Sequence, residues 1–222
     1  MPNPSSDVAF TPTVKAIQEE RGSREAYARM EAGGGFRTEI DERLIAMLAA
    51  TNTAYLGTVN ADGQPYIQHR GGPRGFIRVI GKRTLGFVDY IGNRQYVSTG
   101  NLKDNDKAFL FLMDYARKAR IKIWGRARFD YDPDLIARLM PDDYKARPEA
   151  AILFEISAWD VNCPQHIPVK FDADQVAAAL AERDEEIERL KAELADLRVK
   201  SLHRRNDQAK GSRRRGRGDG GR

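Results

Sequence analysis

Between Thr53 and Val161 apolar residues fall in short runs that alternate with polar ones and are separated by turn residues. A chain with that period makes strands, not a helical bundle. Thr53 to Asn60 reads as a strand, Asn60-Ala61-Asp62-Gly63 as a tight turn, and Gln64 to Arg70 as the antiparallel return. Beyond the loop Gly71-Gly72-Pro73-Arg74-Gly75, strands are expected at Phe76 to Ile80, Leu85 to Tyr90, Ala108 to Asp114 and Ile121 to Phe129. A short helix near Asp134 to Met140 precedes a last strand from Ala151 to Val161. Six or seven strands with few helices between them predict a mainly β fold, an antiparallel barrel rather than a doubly wound sheet.

The flanks have other patterns. Residues 1–50 read as a helical lead-in, with helices expected at Thr13 to Met30 and Asp41 to Ala50 on either side of Gly33-Gly34-Gly35. Ile40, Leu44, Ile45 and Leu48 are expected on one face of the second helix. The barrel is assigned to 51–171. Residues 172–199 form a helix in which Leu180, Ile187, Leu190, Leu194 and Leu197 take heptad core positions, with Arg183 as a polar interruption. Two readings fit that pattern: a short coiled coil in a dimer, or a helix packed on its own barrel. Residues 200–222 are rich in Arg and Gly and are expected to be a disordered basic tail.

Charge follows the same division. Nine Lys or Arg against two Asp give Lys200 to Arg222 a net charge of +7, so the other 199 residues carry −2 of the chain's +5. The tail's cations admit nucleic acid as a partner through phosphate neutralisation, but no aromatic residue interleaves with them to stack on bases. Cys163 is the single cysteine, so no intramolecular disulfide forms. The N-terminus lacks the basic and apolar segments of a secretory signal, and no apolar run approaches the roughly 18 residues of a membrane span. The expectation is a cytoplasmic protein with no membrane partner.

Three clusters bear chemistry. Gln68-His69-Arg70-Gly71-Gly72-Pro73-Arg74-Gly75 sets cations beside glycines at a strand end, which suits an anion cradle or a surface loop. Asp89-Tyr90-Ile91-Gly92-Asn93-Arg94-Gln95-Tyr96, followed by Ser98-Thr99-Gly100-Asn101, is a strand end with Asn93 placed to cap a short helix. Free N–H groups at that helix start favour phosphate, although a plain strand-to-helix connection uses similar residues. Asn162-Cys163-Pro164-Gln165-His166-Ile167-Pro168 pairs a thiol with an imidazole. One Cys and one nearby His are too few for zinc, so no metal is expected, and the two prolines fit a loop closing over a ligand. No G-x-G-x-x-G after a strand, P-loop or G-x-S-x-G elbow is present.

The run from Asn52 to Val161 resembles the pyridoxamine 5′-phosphate oxidase-like, FMN-binding split-barrel superfamily. Within it the chain is most similar to the subgroup of predicted flavin-nucleotide-binding proteins. Gln-His-Arg-Gly-Gly-Pro at 68–73, Gly-Asn-Arg-Gln-Tyr at 92–96, Leu85-Gly86-Phe87, Ser98 to Leu102, Lys122-Ile123-Trp124-Gly125 and Asn162 to Ile167 carry the likeness. The resemblance implies a homodimer with FMN at the subunit interface and an oxidoreductase activity on a small molecule. It implies a phosphate site at Asn93, Arg94 and Gln95, with a second basic group among His69, Arg70 and Arg74, where a Gly-Pro loop departs from the oxidases' Arg-x-x-x-Leu-Lys. Gln68, Gly71, Asp89, Tyr90, Tyr96 and Ser98 complete the implied cofactor set. Lys122 and Trp124 line the ring pocket on one reading, while Trp124 is barrel core on the other. Cys163, Gln165 and His166 are the candidates for the substrate side. The C-terminal Arg and Trp with which the vitamin-processing oxidases hold pyridoxine phosphate are replaced here by the heptad helix, so that substrate is not expected. The competing reading is a non-catalytic carrier of flavin, deazaflavin or haem, with His166 as an axial ligand in the last case.

Overall fold

The structure, a computed structural model, describes residues 3–162 and 164–215, and from residue 202 onward the backbone alone. The chain divides after Val169 into two compact units. The first holds the lead-in as well as the barrel; the second holds one long helix.

Turn chemistry sets the first hairpin. The Asn60 side-chain oxygen accepts from the N–H groups of Asp62 and Gln64 at 3.0 and 2.8 Å, and Gly63 takes a φ of +87°. This joins β1 (Thr53–Val59) to β2 (Pro65–Gly71) in the register Val59 opposite Pro65 and Leu56 opposite Gln68. The remaining strands are β3 (Arg78–Val79), β4 (Thr84–Tyr90), β5 (Lys107–Asp114), β6 (Ala119–Asp130) and β7 (Pro148–Val161). They form one seven-stranded sheet in the order β2-β1-β5-β6-β7-β4-β3, antiparallel throughout. Phe76 and Ile77, expected in a strand, are buried ahead of β3 instead, and only two residues of that segment pair.

Alternation along the strands fills the concave side of the sheet. Leu56, Leu85, Phe87, Leu110, Ile123, Ile152, Phe154 and Trp159 are fully buried there. Burying each such side chain contributes about 1.5–3 kcal/mol. The sheet curls on this core but does not close, since no ladder joins β2 to β3 or β4. A salt bridge spans the gap: Arg70 on β2 pairs with Asp89 on β4, five places away in the strand order. Both side chains are nearly buried, at 11% and 13% exposure. The fold is therefore a split barrel, with a polar clasp where hydrogen-bonded strands would otherwise meet. At the bulge between Trp124 and Gly125, a Cβ on Gly125 would collide with the Glu155 carbonyl and the Phe154 ring.

The lead-in contains α1 (Pro12–Glu20), α2 (Arg24–Ala32) and α3 (Glu42–Ala50). The single helix expected at Thr13 to Met30 is thus two, because Gly22 between them adopts a φ of +73°. On α3, Leu44, Met47 and Leu48 are buried and Ile45 is exposed. Ile45 lies about 100° around the helix from Leu44, so Met47 takes the place expected for it. The lead-in also pins the barrel: Arg37 and Trp159 exchange backbone hydrogen bonds at 3.2 and 2.7 Å, and the Trp159 indole donates to the Glu39 carbonyl at 2.8 Å.

Two short helices interrupt the strands: α4 (Val97–Asp104) and α5 (Pro133–Leu139). The last helix, α6, runs from Ala173 to Arg215. It extends sixteen residues past the Val199 boundary expected for it, so residues 200–215 are helical rather than disordered. Lys, Arg, Gln, Ala and Leu in that stretch are good helix formers, with Gly211 the one strong breaker. Residues 216–222 of the expected tail lie outside the described residues. No helix among the described residues is long and apolar enough to cross a membrane.

The clasp makes a stability prediction. Arg70→Ala leaves Asp89 buried without its cation and is expected to lower the unfolding free energy by about 3 kcal/mol, whereas R70M combined with D89L restores it to within about 1 kcal/mol of the parent. Urea denaturation of the three proteins checks this; equal losses in both variants would show that the ion pair does not hold the split together.

Candidate functional site

The split opens onto a cavity of about 250 Å³ between β2, β4 and the start of α4. Strand period sets its first wall. Gln68 and Arg70 stand opposite Leu56 and Ala54 of β1 and so point to the concave side, while His69 faces outward and stacks edge-on against Tyr55 at 5.8 Å. The second wall is the end of β4, with Asp89 and Tyr90, and the loop Gly92 to Tyr96. The third is the first turn of α4 with Val97, Ser98 and Thr99.

Nine residues expected at a cofactor site line this one cavity: Gln68, Arg70, Asp89, Tyr90, Asn93, Arg94, Gln95, Tyr96 and Ser98. Five others do not. His69 points away, Gly71 packs beside the His69 ring and the Asn52 carbonyl, and Arg74 donates to the Ala50 carbonyl at 2.8 Å. Lys122 binds Asp160 at 3.0 Å, and Trp124 stacks on Phe36 with ring centres 5.3 Å apart. Trp124 is thus covered by the lead-in and is neither in this cavity nor in the barrel core. Gln165 and His166 are exposed on the loop after β7, whose other end carries Glu149 into the cavity. Cys163 lies outside the described residues. No cluster of three or more potential metal ligands occurs among the described residues.

Besides Val97, which lies between the two runs of the second cluster, two further lining residues lie outside the clusters read from sequence. Tyr66 shares the face of Gln68 and Arg70 at strand period two and was legible in that way. Glu149 reaches the cavity only because β7 pairs with β4, a long-range register with no local signal.

Asn93 does not cap α4. Its side-chain oxygen accepts from the Gln95 N–H at 3.2 Å, and the helix begins four residues later. The N-cap is Tyr96, in the left-handed region at φ +53°, and it makes no side-chain cap. Arg94 is also left-handed at φ +58°. Two bulky residues held at positive φ in one short loop store strain, which is common where a loop is shaped for a ligand. The first turn of α4 lines the cavity, and its N–H groups lack the side-chain cap that usually satisfies one of them.

The charges in the wall divide into pairs. Arg70 is held by Asp89 and donates to Gln68 at 2.9 Å, and the same Gln68 oxygen accepts from the Ser98 hydroxyl at 2.8 Å. The Arg70 Nε is buried without a hydrogen-bond partner. Glu149 accepts from the Tyr96 hydroxyl at 2.9 Å, which raises the pKa of that phenol. Arg94 has no ion-pair partner among the described residues and is the available cation of the wall. Burial pushes the Tyr90 hydroxyl up to about 12, with Tyr144 adding to it, so this group stays a protonated donor. Ser98 has no base beside it, and no His lines the cavity. The arrangement suits holding an anion, not nucleophilic catalysis.

An open antiparallel barrel with a polar cavity at its split is the class of protein that the fold and site define. Residues 40–163 match the family model described as pyridoxamine 5′-phosphate oxidase, and the chain belongs to that family. Solved structures similar to it include HupZ of group A Streptococcus, at 17% identity and a TM-score of 0.46, covering 60% of this chain and 99% of that one. An FMN-binding protein from Syntrophomonas wolfei aligns at 15% identity and a TM-score of 0.41, over 70% of this chain and 98% of that one. An F420 reductase aligns at 17% identity and a TM-score of 0.39, over 55% and 98%. No curated protein matches the chain.

Burial is the largest influence on Asp89 and raises its pKa above the ordinary 3.8; Arg70 opposes this and Glu149 adds to it. A raised carboxyl contributes stability that is complete below the unfolded value and is lost as pH rises through the folded one. The stability of the parent relative to Asp89→Asn should therefore fall as pH climbs above about 4, then level off. Thermal melts of both proteins between pH 4 and 8 measure it. A difference that grows with pH would mean that the Arg70 charge outweighs burial.

Proposed function

We propose that the cavity takes the phosphate end of flavin mononucleotide and that the chain is an FMN-dependent oxidoreductase acting on a small molecule. One observation carries the reading: an exposed arginine without an ion-pair partner, Arg94, opens onto the same cavity as a helix start whose N–H donors lack a side-chain cap. These residues fit an anionic group. The α4 N–H groups would donate to its oxygens, Arg94 supplies the countercharge, and the Asn93–Gln95 turn holds the loop in place. Tyr90 offers a neutral donor at the wall. Arg70, neutralised by Asp89, positions Gln68 and through it Ser98. When bound, FMN would supply the redox chemistry through its ring.

The cavity's 250 Å³ is below the roughly 300–1,000 Å³ of sites that enclose a drug-sized ligand. It suits the phosphate end, and the ring must find cover elsewhere. A second copy of this chain is the proposed cover. The outer face of the sheet supports it: Tyr55, Ile67, Phe109, Phe111 and Met113 line an apolar depression of about 530 Å³, and Ile67 is 69% exposed. An isolated chain has no use for such a face.

The protein purified without added cofactor, or after incubation with FMN, is expected to show a flavin absorption spectrum, with FMN released on denaturation. Arg94→Ala should weaken FMN binding about tenfold, the loss of one charge-assisted contact. A protein that stays colourless in excess FMN, or an Arg94→Ala protein with unchanged affinity, would remove the assignment. A haem spectrum instead would favour the carrier reading. Ile67→Asp, outside the phosphate cavity, should weaken FMN binding severalfold; an unchanged affinity would place the ring's cover on another face.

A further inference from the structure

The apolar side chains of α6 form a stripe along one face of the helix. Leu180, Ile187, Leu190, Leu194 and Leu197 are each 46–61% exposed, and the whole described surface of the helix is open. A helix of 43 residues spans about 65 Å.

We infer that α6 pairs with α6 of a second copy as a parallel, in-register, two-stranded coiled coil. Leu180, Ile187 and Leu194 recur every seven residues and take the a positions; Val176, Leu190 and Leu197 take d. Ile187 at a with Leu190 at d is the combination that favours two strands. The flanking positions set the direction. Glu186 and Glu193 fall at g, and Lys191 and Arg198 at e. In a parallel pair each g residue faces the e residue of the following heptad across the seam. Glu186 then meets Lys191 of the partner subunit, and Glu193 meets Arg198 of the partner subunit. Twofold symmetry makes four attractive pairs.

Within one chain Glu186 also lies 2.6 Å from Arg189, and Lys191 lies 2.7 Å from Glu188. These side chains are long and exposed, so they reach the seam without breaking the helix. An antiparallel pair with the same apolar overlap sets g beside g, and Glu186 would face Glu193 of the partner subunit. Arg183 works the other way: at d, it faces its own copy in the parallel arrangement. One like-charge contact in the first full heptad is outweighed by four attractive ones in the next two. Past Leu197 the seam positions become Ser201 and Arg204, so the apolar contact ends there.

The test uses the full chain with Cys163→Ser. Leu180→Cys and Leu197→Cys, made separately, are oxidised in a thiol-exchange buffer at micromolar concentration. Each is expected to give a covalent dimer with itself. If neither does, the pairing is wrong; if the two crosslink mainly to each other when refolded together, the direction is wrong. Spin labels on cysteines at the outward positions Ala178 and Ala192 leave the apolar stripe intact. Parallel pairing gives both labels short distances between copies, whereas antiparallel pairing sets the Ala178 labels about 30 Å apart along the axis. Glu186→Lys should lower the crosslinking yield of Leu197→Cys severalfold, and adding Lys191→Glu should restore it. Failure of the double charge swap to restore it overturns the register.

Discussion

A sheet that curls without closing must do something with the two edges it brings near each other. Here Arg70 and Asp89 meet across the opening, and much of the site follows from that contact. A continuous ladder would have filled the opening with backbone hydrogen bonds, leaving no cavity. An apolar seam would have closed it. The buried ion pair keeps the walls together and polar at once, at the cost of desolvating two charges, which is why the Asp89 carboxyl is raised despite its partner. The Arg70 Nε left without an acceptor is part of that cost. Arg70 therefore serves the architecture, and the cation open to a ligand is Arg94.

The strands were legible because the signals for them are local. Alternation and the Asn60 to Gly63 turn located β1, β2, β4, β5, β6 and β7 to within a few residues. What failed was also local in cause. Gly22 splits a helix whose apolar pattern runs through it, and Phe76 and Ile77 look like strand residues because they are buried, though they are not paired. On α3, Ile45 and Met47 exchange roles because two neighbours of similar hydrophobicity differ only in angle around the helix.

The site was legible in its sequence-local parts. Gln68 and Arg70 from the first segment, and Asp89, Tyr90 and residues 92–99 from the second, do line one cavity. Strand period alone separates Arg70 from His69, so that distinction was available in principle. Other features were not: Glu149 enters through long-range pairing, and Trp124 is covered by Phe36 from a segment nearly ninety residues earlier. The helix start was read as an anion site on the ground that Asn93 caps it. The structure shows no side-chain cap there, and the Asn93 oxygen accepts from the Gln95 N–H instead.

Gln68 has a consequence of its own. A single amide oxygen receives both the clasp, through Arg70, and the first turn of α4, through Ser98. The element that holds the barrel's lips and the element that offers donors to a ligand are thereby parts of one hydrogen-bonded unit. On the proposed function, an anion held against α4 would stabilise that same unit, and a hundredfold excess over its dissociation constant would add about 2.7 kcal/mol to the native state. Resistance to heat would then measure how full the cavity is.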